Sequence, residues 1–160
     1  MGLDGGHSGR TFVGEVAGER AVVRIYPPGD ARGPAAPDID AAVLHLVRGL
    51  LPVPDVLDVR REEAADGVPG LLVTSWMPGE RGDLVLAGLD VDGMGRLGAA
   101  MGRAAATLAG MPTLRPGPFV DADLTLGRFP DGGLPEWVES RLTRWAGDDR
   151  RRLVAVAEVA

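Results

Sequence analysis

The sequence of 160 residues contains no cysteine. Without thiols, the chain forms no disulfide, has no thiolate nucleophile and binds no zinc or iron–sulfur centre through cysteine. Histidine is scarce as well, since only His7 and His45 occur. The chain therefore has few histidines from which to build a histidine-rich metal site or a Ser-His-Asp catalytic triad.

Lysine is also missing, because all 17 basic residues are arginine. This excludes a lysine Schiff base, a lysine general base and the Walker-A phosphate loop, whose motif requires lysine. The formal net charge is −6, so we expect no nucleic-acid partner, whose phosphates need a basic face. No apolar run approaches the roughly 20 residues of a membrane span, and no signal peptide opens the chain. We expect a cytoplasmic protein without a membrane partner.

The composition that remains is that of a folded protein. Hydrophobic residues make up 45% of the chain and charged residues 25%, as in globular domains. The 24 glycines and 13 prolines predict many turns and loops.

Strand and turn character dominates the first half of the sequence. The β-prone segments Thr11–Val16 and Ala21–Tyr26 flank a short loop that contains glycine, and Asp55–Arg60 and Gly70–Trp76 predict a second strand pair. Between the two pairs, apolar residues at helical spacing predict a helix from about residue 38 to residue 48, with Asp38 as its N-cap.

Helical character dominates the second half. An amphipathic pattern over Val91–Ala109 predicts a helix whose apolar stripe, with Met94 and Met101, belongs to the core. Pro135 suits the first position of a further helix. That helix carries Trp137 and Trp145, for which packing is favoured over a stacking role.

Two features of the first half could bind phosphate. The segment Gly5-Gly6-His7-Ser8-Gly9 precedes the first clear strand, and such a loop can donate backbone N–H groups to phosphates or be a plain flexible terminus. One hairpin later, Arg24 stands in an apolar strand and shares a face with Val22 and Tyr26. Arg24 is either a phosphate contact or an arginine that snorkels on an exposed sheet face.

Taken in order, several segments resemble the amino-terminal lobe of the aminoglycoside phosphotransferase-type, protein-kinase-like small-molecule kinases. They are the glycine loop and the segments AVVRIY, LPVP and LLVTSWMPGE. The resemblance covers about residues 5–110. It implies an α+β fold, with an antiparallel sheet plus one helix and the hinge in residues 1–77. Residues 78–160 would supply the first helices of an incomplete carboxy-terminal lobe.

The resemblance also implies roles for the residues near the nucleotide phosphates. Arg24 stands where these kinases place the lysine that holds the α- and β-phosphates, and Asp40 stands where a helix offers glutamate to that lysine. The alternative for Asp40 is a first-turn carboxylate that interacts favourably with the helix dipole. Arginine is longer than lysine and aspartate is shorter than glutamate, so the Arg24–Asp40 pair preserves the span. The loop above the phosphates of ATP or GTP with Mg²⁺ would consist of Gly5, Gly6, Ser8 and Gly9.

The nucleotide base and the acceptor would be bound elsewhere. Val22 would touch the base, and the hinge that hydrogen-bonds it would be the backbone of Ser75, Trp76 and Met77. In this family, acidic residues of the helical lobe bind cationic acceptors, and here Glu136 and Glu139 would take that role. The alternative is that both residues belong to a solvated helix face.

In this family the γ-phosphoryl group of a nucleotide passes to a hydroxyl of a small molecule, of which antibiotics such as the cationic aminoglycosides are the best-known examples. The partners implied are thus a nucleotide and a small hydroxylated substrate. Neither histidine begins the H-x-D pattern of a catalytic loop. We therefore assign no catalytic and no metal-binding residue in these 160 positions.

We expect the chain to be a piece of a longer phosphotransferase that ends before the catalytic loop, and by itself to bind nucleotide at best. The alternative is a degenerate, non-catalytic kinase-like module that acts in protein interaction. Self-association of the chain through exposed apolar surface is a third alternative.

Overall fold

The computed structural model describes residues 2–3, 9–129, 132–142, 151 and 155. The chain divides into two compact units, one that ends at Pro112 and one that begins at Thr113.

A five-stranded antiparallel sheet forms the centre of the first unit, counted over the described residues. Its strands are β1 (Gly2–Leu3), β2 (Arg10–Val16), β3 (Glu19–Ile25), β4 (Val56–Arg60) and β5 (Leu71–Ser75). They lie in the order β1-β2-β3-β5-β4, so both predicted strand pairs are present. The two pairs are joined because β3 and β5 are neighbours at the middle of the sheet.

Helix α1 (Ala36–Val47) packs on one face of this sheet. It begins two residues earlier than the sequence predicts, because Pro37 fits the first helical turn. Asp38 is therefore a first-turn residue and not the N-cap, which is Ala35. The Asp38 carboxylate instead accepts a hydrogen bond of 2.9 Å from Nε of Arg61.

The core lies between α1 and the sheet. Its buried members are Tyr26, Ala36, Ala41 and Leu72. Tyr26 follows β3 directly, and its backbone N–H donates to the carbonyl of Gly70 at 2.9 Å. Because side chains alternate along a strand, Val22 and Arg24 lie on the same face of β3 as Tyr26, towards α1. The result is the α+β lobe of an antiparallel sheet plus one helix that the sequence predicts.

Two helices follow the sheet within the first unit. They are α2 (Gly82–Leu86) and α3 (Val91–Ala109), and α3 has the predicted bounds. Asp90 caps α3 by accepting a hydrogen bond of 2.7 Å from the backbone N–H of Gly93. No described helix is both long and apolar enough to cross a membrane.

The apolar stripe of α3 differs from its prediction. Met94 is 49% exposed and Met101 is 64% exposed, so neither is a core residue among the described parts of the chain. Helical periodicity identifies the apolar face of a helix, but it does not determine whether another element covers that face.

The second unit contains a bridged loop and one described helix. Phe119 pairs with Leu126 across the loop, and α4 (Leu134–Arg141) has proline in its first turn, as predicted. Trp137 packs on Phe129, with ring centroids 5.5 Å apart. Trp145, which was expected to pack similarly, lies outside the described residues.

The contact between α1 and the sheet can be tested at Gly70. A Cβ atom at this buried position would lie 2.8 Å from Cγ of Pro37 and 3.3 Å from the backbone nitrogen of Glu62. We expect Gly70→Ala to lower the free energy of unfolding in urea by about 1–3 kcal/mol, as overpacking does.

Gly14→Ala is the matched control, since no heavy atom lies within 4 Å of the Cβ it would introduce on β2. We expect this variant to be at least as stable as the parent, because alanine orders a strand at lower entropic cost than glycine. Equal stability of the two variants would contradict the packing at Gly70.

Candidate functional site

Arg24 on β3 and Asp40 on α1, which the resemblance to the kinase family pairs, are in contact. Nη1 of Arg24 lies 3.2 Å from Oδ2 of Asp40, and the two side chains are 33% and 22% exposed. Strand alternation aims Arg24 at the helix, and the fifth position of α1 brings Asp40 to the sheet. The ion pair is thus partly shielded from water while a ligand can still reach it.

The carboxylate of Asp40 has two further partners. The hydroxyl of Tyr26 donates to Oδ2 at 2.6 Å, which is the oxygen that also faces Arg24. Nη1 of Arg32 donates to the other oxygen, Oδ1, at 2.6 Å. Asp40 therefore joins strand β3, the loop after it and helix α1 through one side chain.

Arg32 is fixed from a second side by Asp30. Its backbone N–H and its Nε donate to Oδ1 of Asp30 at 2.9 and 3.1 Å. Burial acts to raise the pKa of Asp30, but the hydrogen bonds and charge of Arg32 outweigh burial and lower that pKa. Burial likewise opposes the charge of Arg32, and its bonds to Asp30 and Asp40 raise the pKa above the ordinary value. Both groups are ionised at neutral pH.

The ring of Tyr26 completes what we call the Asp40 cluster, formed by Arg24, Tyr26, Asp30, Arg32 and Asp40. The guanidinium carbons of Arg24 and Arg32 lie 4.8 and 5.7 Å from the ring centroid, within the range of cation–π attraction. Tyr26 is only 2% exposed. Burial, the hydrogen bond to Asp40 and the Asp40 charge raise its pKa, against the lowering effect of the two arginines. The hydroxyl therefore remains a hydrogen-bond donor.

Sequence reasoning found two members of the cluster and missed three. Tyr26 was placed on the face of Arg24 by alternation, yet its hydroxyl was given no role. Asp30 and Arg32 lie in a loop rich in glycine and proline, where no periodicity indicates which way a side chain points. The signal in the sequence that could have identified them is their charge, because their loop connects β3 and α1, the two elements that Arg24 and Asp40 already join by an ion pair.

Of the glycine loop, the structure describes Gly9, while Gly5, Gly6 and Ser8 lie outside the described residues. Gly9 has φ +137°, and a Cβ there would lie 2.5 Å from the carbonyl oxygen of Ile25. Only glycine fits this position, because the conformation is one that other residues rarely adopt and the backbone of β3 passes close by. Gly9 thus brings the end of the loop against the strand that carries Arg24.

Of the predicted base-binding residues, Val22 lies at the middle of β3, Ser75 ends β5, and Trp76 and Met77 follow it. Val22 is partly buried on the Arg24 face. The backbone N–H of Ser75 donates to the carbonyl of Asp55 at 2.8 Å, and that of Trp76 donates to the carbonyl of Arg20 at 3.3 Å. The Trp76 ring lies under the Arg20 guanidinium at 5.5 Å. Two of the three hinge N–H groups are therefore already used within the lobe.

The remaining predicted residues are more exposed. Met77 is largely exposed after the hinge tryptophan. Glu136 and Glu139 are exposed on α4, in the second unit. Among the described residues, no group of three His, Cys, Asp or Glu side chains is close enough to hold a metal ion.

The state of Tyr26 has a consequence at alkaline pH. The chain has no lysine or cysteine and one tyrosine, so Tyr26 is the side chain that ordinarily titrates near pH 10, well above the terminal amine at about 8. The unfolded chain loses this proton above about pH 10, whereas the folded chain retains it because the folded pKa is raised. We expect the free energy of unfolding to fall above pH 10, by up to about 1.4 kcal/mol per pH unit.

Urea unfolding between pH 9 and pH 11.5, at intervals of about half a pH unit, measures this slope. Tyr26→Phe keeps the ring and removes the titrating hydroxyl, so its stability should be lower at pH 9 and nearly flat above it. Parallel curves for the two proteins would show that Tyr26 titrates normally in the folded state.

Comparison with known proteins identifies the family of the chain. A family model described as "Phosphotransferase enzyme family" matches residues 1–160, the whole of the chain. No curated protein and no solved structure gives a significant match. The full-length family match agrees with the resemblance found in the sequence, and the antiparallel sheet with its helix agrees with a kinase-like lobe. The chain belongs to the phosphotransferase enzyme family.

Proposed function

We propose that this chain forms the nucleotide-binding part of a kinase-type phosphotransferase that transfers the γ-phosphoryl group of ATP or GTP to a hydroxyl of a small molecule. The observation that supports the proposal most directly is the contact between Arg24 on β3 and Asp40 on α1. The contact lies in the α+β lobe of a chain that matches a phosphotransferase family over residues 1–160.

Arg24 is the proposed ligand of the α- and β-phosphates. Its planar guanidinium offers several N–H donors and can bind phosphate oxygens in pairs. Asp40 holds the guanidinium at a fixed distance from the helix, and the ring of Tyr26 lies against it. This arrangement favours catalysis by positioning and by electrostatic stabilisation of charge on the phosphates, which is what phosphoryl transfer requires.

The glycine loop is proposed to cover the phosphates from above. Gly9 supports this assignment because it lets the loop approach the β3 backbone so closely. Backbone N–H groups of Gly5, Gly6 and Ser8 are the proposed donors, by the chemistry of glycine-rich anion-binding loops.

The base is proposed to lie against Val22 and to bond the hinge. Because the N–H groups of Ser75 and Trp76 already donate to carbonyls of the lobe, we assign the base contacts to the N–H group of Met77 and to hinge carbonyls. In this proposal the base would contact the chain beyond Trp76, at the exposed side of the hinge.

The acceptor would be a small hydroxylated compound. If it is cationic, as aminoglycosides are, the exposed carboxylates of Glu136 and Glu139 on α4 are the proposed contacts. The described residues contain no cluster of three His, Cys, Asp or Glu side chains that could hold Mg²⁺. We therefore assign no step of the mechanism to a metal ion bound by these residues.

Titration of the chain with Mg-ATP by calorimetry tests the phosphate role of Arg24. Loss of a charged hydrogen bond costs about 1.5–3 kcal/mol, so we expect Arg24→Ala to weaken binding about 10- to 100-fold. The fold should persist, because Asp40 retains its bonds to Tyr26 and Arg32.

Arg60→Ala is the matched control. Arg60 is an exposed arginine of β4 that pairs with Asp58. The variant therefore removes one positive charge, as Arg24→Ala does, but at a position outside the Asp40 cluster. We expect its affinity to stay within about twofold of the parent. Equal weakening in both variants would mean that general charge, and not a contact of Arg24, attracts the nucleotide. No heat with the parent chain would instead favour the non-catalytic module.

A further inference from the structure

The two arginines of the Asp40 cluster share one carboxylate unequally. Arg32 approaches Oδ1 at 2.6 Å, whereas Arg24 approaches Oδ2 at 3.2 Å. Oδ2 also accepts the hydroxyl of Tyr26. The closer of the two ion pairs thus involves the arginine that the sequence pattern does not identify.

We propose that Arg32 is a positioning residue that limits how strongly Asp40 holds Arg24, and that it thereby raises the affinity of the site for nucleotide phosphate. The second part of this inference rests on the proposed function, in which Arg24 binds the phosphates. The first part concerns the Asp40 cluster alone and can be measured without nucleotide.

The physical reason lies in the geometry of arginine and carboxylate. An arginine with a carboxylate to itself can bind both oxygens through two parallel N–H···O bonds, the strongest arrangement of this pair. Here Arg32 donates to Oδ1, so an N–H group of Arg24 that approached Oδ1 would have to share that oxygen with a second guanidinium of like charge. Since phosphate must compete with Asp40 for the Arg24 guanidinium, a weaker hold by Asp40 favours the phosphate.

Asp30 keeps Arg32 in this role. It accepts from the backbone N–H and from Nε of Arg32, so Arg32 is anchored to its own loop while Nη1 reaches Asp40. The charge of Arg32 is balanced by two carboxylates at 3.1 and 2.6 Å. Its effect on a nucleotide is therefore expected through Asp40 and not by direct attraction.

The first measurement follows the Arg24 side chain without ligand. In ¹⁵N-arginine NMR spectra, a guanidinium held by two parallel bonds rotates slowly about its Nε–Cζ bond. We expect Arg32→Gln to slow the rotation of Arg24, because both oxygens of Asp40 then become available to it. Arg24→Lys identifies the resonances by removing them. Unchanged rotation of Arg24 would overturn the inference.

Arg32→Ala provides the same comparison should the glutamine amide take over the bond to Asp40. Arg61→Gln is the matched control, since Arg61 pairs with Asp38 on the same helix and the variant removes the same charge. We expect no change in Arg24 rotation in this control. Thermal melting of each variant verifies that it is folded.

The second measurement is titration of the same variants with Mg-ATP. We expect Arg32→Gln to bind about three- to tenfold more weakly than the parent, the change that one net hydrogen bond produces, and Arg61→Gln to bind like the parent. Equal affinities of Arg32→Gln and Arg61→Gln would overturn the inference. Failure of the parent to bind Mg-ATP would overturn the proposed function, and the NMR comparison would still decide whether Arg32 limits the hold of Asp40 on Arg24.

Discussion

The carboxylate of Asp40 joins three parts of the lobe that are separate in sequence. It accepts the Tyr26 hydroxyl at the end of β3, contacts Arg24 within β3 and accepts from Arg32 in the loop before its own helix. Without these partners a partly buried carboxylate would be costly, because burial of a charge needs compensation. The position of α1 over the sheet and the position of Arg24 therefore depend on the same side chain.

The absence of lysine gives this site its chemistry. At the position where the resemblance to kinases implies a lysine with its compact charge, this chain has the planar guanidinium of Arg24, a group that can stack on an aromatic ring and divide its donors among several acceptors. Arg24 lies against the Tyr26 ring and contacts Asp40, and Arg32 divides its donors between Asp30 and Asp40. A second guanidinium, that of Arg32, can join the same carboxylate because Asp30 balances its charge.

Membership in the phosphotransferase family and the structure of the lobe support each other. The family match extends over the whole chain, and the antiparallel sheet with its helix provides the framework on which an arginine and an aspartate meet. Nucleotide binding by this pair, the choice of ATP or GTP and the nature of the acceptor are proposals. They follow from the chemistry of a partly exposed guanidinium on β3, the strand against which Gly9 lies.

Alternation and helical periodicity in the sequence alone determined the strand pairs and the bounds of α3, because these patterns report which face a side chain occupies. The contact of Arg24 with Asp40 was implied by the resemblance to the kinase family, and the structure shows it. The sequence did not reveal that Met94 and Met101 are exposed, because burial of an apolar helix face depends on whether residues distant in sequence pack against it. Only the tertiary structure showed that Asp30 and Arg32 reach the site. Their loop has no regular period, and its course is decided by the ion pairs and packing that form when α1 docks on the sheet.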